Sequence, residues 1–147
     1  MFKRILVAVD ASPARFATVR MAGELARLTS AEVVVVHVVP SAVRWDTVVQ
    51  LEEGGDGQEV IDEAVAALRE AEVKASGDLR FGMTFEVPGL IADAARDVGA
   101  DLLMISPQHR GAVAAFFDPR VSDAVAHASR IAVLFTPDGE RQPAPGG

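Results

Sequence analysis

Short apolar runs and amphipathic segments alternate along this chain, five of the first and four of the second. The runs are "RILVAVD" from Arg4, "EVVVVHVVP" from Glu32, "LRFGMTFEV" from Leu79, "DLLMI" from Asp101 and "IAVLFT" from Ile131. Most are nearly continuous in Val, Ile and Leu, as expected of parallel strands covered on both faces. "LRFGMTFEV" alternates instead, which predicts an edge strand with one wetter face. Between the runs lie helical patterns. "ARFATVRMAGELARLTS" puts Phe16, Val19, Ala22 and Ala26 on one face and Arg15, Arg20, Glu24 and Arg27 on others. "QEVIDEAVAALREAEVKA", "PGLIADAARDVGA" and "DPRVSDAVAHAS" supply the remaining three. Strict β-α alternation implies one parallel sheet with helices on both faces. Right-handed crossovers then make the sheet doubly wound.

Local signals suggest where the elements begin and end. Ser12 and Pro13 suit the N-cap and first position of the first helix. Pro40 is expected to stop the second strand. Residues 41–57, "SAVRWDTVVQLEEGGDG", read as a long crossover loop with a short helical turn and a flexible "GGDG" end. Gly77 and Asp78 read as a turn. Pro88 stands near the start of the third helix and Gly99 at its C-terminal end. The folded domain is expected to cover residues 1–137. The Pro/Gly-rich tail at 138–147 is expected to be disordered.

Bulk composition narrows the function classes. The chain of 147 residues is long enough for one domain with a sizeable core. With no Cys it has no disulfide, thiolate metal site or Cys nucleophile, which fits a reducing compartment. The apolar run of "MFKRILVAVD" is too short for a signal peptide or a membrane span, so a cytoplasmic protein is expected. A net charge of −7 argues against nucleic acid and anionic membranes as partners.

In a doubly wound sheet, ligands bind beyond the C-terminal strand ends where the strand order reverses. That rule selects Asp10 to Ser12, Val38 to Pro40, and the stretch "SPQHRGAVAAFFDPRVSD" from Ser106 to Asp123. No serine stands in G-x-S-x-G, so a nucleophilic triad has no support. Three scattered histidines make no zinc site. His37 is expected as a satisfied core histidine, and Asp123 with His127 as a surface pair. Phe117 is expected to pack in the core, while Phe116 can pack or present a binding surface. Trp45, with Val43, Val48, Val49 and Leu51, makes the 41–57 loop apolar enough to be expected to cover a site mouth or a partner.

"ILVAVDAS", "VVVVHVVP", "ADLLMIS" and "VSDAVAHASRIAVLFTP", in this order and spacing, together resemble the universal stress protein family. The resemblance runs from about Phe2 to Pro137. It implies a five-stranded sheet of order 3-2-1-4-5, of the adenine-nucleotide α-hydrolase-like kind, and a homodimer through the last strand. Ile131, Val133 and Phe135 would then lie at the dimer interface. "IAVLF" carries no Pro, Lys or Gly to protect an edge, which independently asks for a cover.

ATP-binding members of that family resemble G-x2-G-x9-G-[ST] after the fourth strand. Here those positions are Ser106, His109, Pro119 and Arg120, so every glycine and the hydroxyl residue are replaced. Gly111 and Ser122 match common neighbours of the motif. Asp10, whose counterpart contacts the nucleoside, is present, as is Ser12; Ala11 stands where a turn glycine is common.

The replacements have physical weight. Loop glycines let the backbone approach a phosphate and turn several N–H groups towards it. Ser106 precedes Pro107 and is biased towards extended backbone. Asp118 and Pro119 read as N-cap and first helical residue, and Pro119 has no N–H to donate. A phosphate about 5 Å from the Asp118 carboxylate would be repelled by roughly 3 kcal/mol at an effective dielectric of about 20, or ~100-fold in affinity. Arg110 and Arg120, with His109, either answer Asp118 or hold an external anion.

The sequence therefore points to a cytoplasmic, homodimeric regulatory or protein-binding module, not an enzyme, with no catalytic residues, no metal and no cofactor. The alternative is a nucleotide- or anion-binding protein taking ATP or AMP, with Mg, in the Asp10/Val39/Arg110 crevice. Its ligand residues would be Asp10, Ala11, Ser12, Val39, Ser106, His109, Arg110, Gly111, Arg120, Val121 and Ser122.

Overall fold

A computed structural model of the chain describes residues 2–50, 56–106 and 131–136. Within them are six strands: β1 (Arg4–Ala8), β2 (Glu32–Arg44), β3 (Thr47–Gln50), β4 (Ala75–Met83), β5 (Leu102–Ile105) and β6 (Ala132–Phe135). Three helices accompany them: α1 (Ala14–Thr29), α2 (Asp56–Glu70) and α3 (Val87–Val98). The parallel strands lie in the order β4-β2-β1-β5-β6, so the five runs read from the sequence pair in the 3-2-1-4-5 pattern. The apolar runs are central because both their faces find cover. Ile5, Val7, Val33 and Val35 pack with Val19, Ala22 and Ala26 of α1 and Ile61, Ala64 and Leu68 of α2. Leu6, Ala8, Val34, Val36, Leu103 and Ile105 face the other way, onto Ile91, Ala92 and Ala95 of α3. The last predicted helix, 118–129, and the 138–147 tail lie outside the described residues. Among the described residues no helix is long and apolar enough to cross a membrane.

Three local expectations are corrected. Pro40 does not stop β2, which runs on to Arg44. The Val33 N–H donates to Lys74 on the β4 side, and the Val36 carbonyl accepts from Val9 on the β1 side. The same alternation turns the Pro40 nitrogen to the β1 side, beyond Ala8 where β1 has ended. A missing N–H costs no bond to β1 there.

The 41–57 segment is not simply a crossover loop. Its first part is a β-hairpin, β3 pairing antiparallel with the end of β2 from Ser41↔Gln50 to Arg44↔Thr47. Gly57 lies in the first turn of α2 rather than in a flexible link. Ser41 is also paired with Met83 of β4. A strand has only two edges, so β3 occupies the edge that β1 vacates, and the hairpin stands past the C-terminal end of β1. Trp45 and Asp46 form its two-residue turn, with φ of 53° and 62°. That sign pair belongs to the hairpin turn that favours Asn-Gly.

Gly77 and Asp78 do not turn the chain but lie inside β4. A Cβ at Gly77 would stand 2.2 Å from Ile61 Cγ2, so this glycine marks where α2 presses on the strand. The turn falls earlier, at Glu72, with φ of 64°. β4 accordingly ends at Met83, and Thr84–Glu86 forms a single 3-10 turn leading into α3. β4 pairs with β2 alone among the described strands, as its alternating pattern predicts. α3 carries Pro88 in its first turn and ends at Gly99, also as the sequence predicts.

Candidate functional site

Connections leave β1 towards β2 and β5 towards β6, in opposite directions across the sheet. The strand order therefore reverses between β1 and β5, where Ala8 is paired with Ile105. Both strands end at that register. Val9 to Ser12 continue from one and Ser106 from the other, so Asp10, Ala11, Ser12 and Ser106 share the end of the crevice that the topology rule selects.

The β1–α1 connection is organised around a carboxylate. Asp10 Oδ1 accepts the Ser12 N–H at 2.9 Å and the Ser12 hydroxyl at 2.5 Å. Aspartate readily closes this local turn, because its short side chain reaches its own backbone two residues on. Ser12 is thereby taken from the role the sequence predicts for it. Helix α1 starts at Ala14, Pro13 is its boundary residue, and no side chain caps it. Ser12 contributes its carbonyl instead, accepting the Arg15 N–H at 3.1 Å.

The surroundings of this turn are fixed from several sides. The Val9 carbonyl oxygen, one residue beyond β1, lies 3.0 Å from His37 Nδ1 of β2 and accepts from it when that nitrogen carries the proton. His37 is 2% exposed and is the core histidine that the sequence predicts. Val39 is buried as well, facing the first turn of α2 so closely that a Cβ at Gly57 would stand 2.6 Å from Val39 Cγ2. Its side chain therefore belongs to the core, and a ligand would meet it through its backbone. Ser106 is buried immediately after β5. Thr136, just past β6, shares a 2.9 Å hydrogen bond between buried hydroxyls with Thr18 of α1. That contact fastens the first helix to the last strand beside the site.

Arg15 was not among the sequence candidates, since its helical position reads as solvated surface. It donates to the Ala11 carbonyl at 2.8 Å and the Ser12 carbonyl at 3.0 Å. The signal was present in "DASPAR", because a first-turn arginine can reach carbonyls three and four residues back. His109, Arg110, Gly111, Arg120, Val121 and Ser122 lie outside the described residues, as do Phe116, Phe117, Asp123 and His127. Trp45, expected to cover a site mouth or partner, is 98% exposed at the hairpin tip. Among the described residues, no group of three or more His, Asp or Glu is placed to hold a metal ion. On the last strand, Ile131 and Val133 are partly buried against the α3-side core, while Leu134 and Phe135 are exposed.

Comparison with known proteins agrees with this architecture. The universal stress protein family model matches residues 1–137. A universal stress protein family structure from Burkholderia pseudomallei is 24% identical, with a TM-score of 0.64, covering 92% of this chain and 96% of its own. The universal stress protein of Archaeoglobus fulgidus in complex with dAMP is 26% identical, with a TM-score of 0.60 over 90% of this chain and 96% of its own. A family protein from Arabidopsis thaliana with AMP bound is 16% identical, with a TM-score of 0.60 over 97% of both chains. No curated protein sequence matches the chain. The match of the family model over residues 1–137, from the first strand to the last, places this chain in the universal stress protein family.

Proposed function

We propose that this chain is a non-enzymatic regulatory module whose crevice beyond β1 and β5 takes an adenine nucleoside monophosphate, without a glycine loop for a triphosphate. The observation that carries the reading is the Asp10 carboxylate, held by Ser12 at the point where the strand order reverses. A fixed carboxylate suits the hydroxyls of a nucleoside, since it can only accept hydrogen bonds. The dAMP complex of the Archaeoglobus fulgidus relative supports the same ligand class. The triphosphate half of the usual site has lost its support. Ser106, His109, Pro119 and Arg120 replace the residues that would shape a backbone cradle. A single phosphate asks less of that loop, and Arg110 and Arg120 are its candidate partners.

Calorimetric titration with AMP, ATP and Mg-ATP tests this directly. AMP is expected to bind at least as tightly as either form of ATP. Mg-ATP binding tenfold more tightly than AMP would overturn the reading, and silence from all three would favour a module that works through protein contacts alone.

Assembly as a homodimer through β6 is part of the same proposal. β6 pairs only with β5 among the described strands, and its Leu134 and Phe135 are exposed. A charge at Val133 is expected to halve the mass seen by light scattering. A monomeric wild-type protein would refute the dimer.

A further inference from the structure

Arg15 joins three parts of the molecule. Its Nη1 donates to the carbonyls of Ala11 and Ser12 in the β1–α1 turn. Its Nη2 meets Glu63 Oε2 of α2 at 3.3 Å. Its guanidinium carbon lies 4.3 Å from the centroid of the Phe16 ring. The side chain is only 18% exposed.

The contact with Ala11 has a consequence for Asp10. A trans peptide points its carbonyl and its N–H in opposite directions. The Ala11 carbonyl is turned to Arg15, so the N–H of the same peptide, that of Ser12, is turned away from it. Asp10 Oδ1 receives that N–H at 2.9 Å. One peptide plane is thus gripped from both sides, by a guanidinium at one end and by the candidate ligand carboxylate at the other. Loss of the guanidinium frees the plane to rotate, and the Asp10 carboxylate loses its backbone reference.

Stability alone gives a weaker account of Arg15. Its Nε is buried without a hydrogen-bond partner. An unpaired buried donor is a cost that an aliphatic side chain at this position would not carry. Lysine could match the charge, but its ammonium is a point donor and lacks the planar fork that addresses carbonyls and carboxylate together.

We infer that Arg15 is the positioning residue of the candidate site, setting the direction of the Asp10 carboxylate through the Ala11–Ser12 peptide, with Glu63 of α2 as its anchor. The α1–α2 groove, about 450 Å³, runs beside it between Val19, Gly23, Ala64 and Leu68. A shift of α2 across that groove therefore reaches the turn through Glu63. The effect on affinity rests on the nucleotide reading above; the effect on the turn does not.

Two measurements on wild type, Arg15→Ala, Arg15→Lys and Glu63→Gln separate these consequences. The first is amide hydrogen exchange at Ser12 in ligand-free protein. Arg15→Ala is expected to speed it about tenfold, the weight of one net hydrogen bond, and Glu63→Gln about twofold, as for a half-exposed ion pair. The second is calorimetric titration with AMP. Arg15→Ala and Arg15→Lys are each expected to weaken binding about tenfold, again about one hydrogen bond's worth. Unchanged Ser12 exchange in Arg15→Ala would overturn the positioning role. Weaker AMP binding with unchanged exchange overturns it too, because Arg15 would then be a direct contact. If the wild type binds no AMP, the nucleotide reading fails, and Ser12 exchange still decides the role of Arg15.

Discussion

The two ends of the sheet use charge differently. At the N-terminal ends of the strands, charged groups fasten one strand to the next. Asp101, before β5, accepts the backbone N–H groups of Lys3 and Arg4 at 2.8 and 3.1 Å. Arg4 pairs with Glu32 at the start of β2 and donates to the Val98 carbonyl at the end of α3. Lys74, before β4, reaches the same Glu32 at 3.4 Å. At the C-terminal ends, Asp10 and Arg15 hold the turn after β1, and the hairpin exposes Val43, Trp45, Val48 and Val49. One end is a clasp made of charges that answer each other across strands. The other gathers its carboxylate and guanidinium around one turn, ties that turn to α2 through Arg15 and Glu63, and leaves apolar groups in the open.

Replacing one aspartate at each end is the sharpest way to break this division. Asp10→Ala is expected to weaken AMP binding ~100-fold, the cost of about two charge-assisted hydrogen bonds. Asp101→Ala should leave AMP binding intact and lower the unfolding free energy by about 2 kcal/mol, since two backbone donors lose a charged acceptor. Calorimetry and urea unfolding on both variants supply the comparison. If Asp101→Ala cost as much AMP affinity as Asp10→Ala, the two ends would not be separate devices.

A smaller effect is expected at the hairpin. Trp45 and Asp46 both hold positive φ without being glycine. Replacing the pair by Asn-Gly should stabilise the fold by about 1–2 kcal/mol, visible as a higher urea midpoint. A lower midpoint would mean that Trp45 supports the fold despite its exposure.

The smallest effect lies at the clasp and in acid. The Arg4 hydrogen bond first, and the Lys74 hydrogen bond next, hold the Glu32 carboxyl below its ordinary 4.5. A depressed folded pKa contributes stability that is present above the unfolded value and lost as pH falls through the folded one. Glu32→Gln should therefore flatten the stability profile slightly below about pH 4.5, and added salt should do the same, because the group is exposed to screening. A profile identical to wild type at low salt would show that the pairing contributes nothing to folding.

Much of the fold was legible in the sequence for one reason. A strand covered on both faces must be apolar, and the covered stretches Ile5–Ala8, Val33–Val36 and Leu102–Ile105 obey that demand. The errors fell where a residue type has two uses. Gly77 reads as a turn, yet it is small because Ile61 presses on β4. Pro40 reads as a stop, yet its missing N–H faces an edge that β1 has already left. The hairpin was hidden because its turn is Trp-Asp instead of a glycine pair. At the candidate site Asp10 was legible from its place after an apolar run. Arg15 was not, because helical period assigns a residue to a face but not to carbonyls behind its own helix. Ser12 illustrates the same limit, since a cap and an aspartate turn use the same hydroxyl.

The position of β1 has a further consequence, for the order in which the chain can become native. Ile5 to Ala8 need β2 on one edge and residues 102–105 on the other. During synthesis the first edge can close early, but the second stays open until the chain has grown past Ile105. Four consecutive apolar residues with free backbone groups then wait as an adhesive edge, open to the wrong strand of any neighbour. An interior strand whose residues Ile5 to Ala8 end fully buried thus begins as a hazard. Its partners are far apart in sequence, so this fold pays its loop-closure entropy before the centre of the sheet is secured.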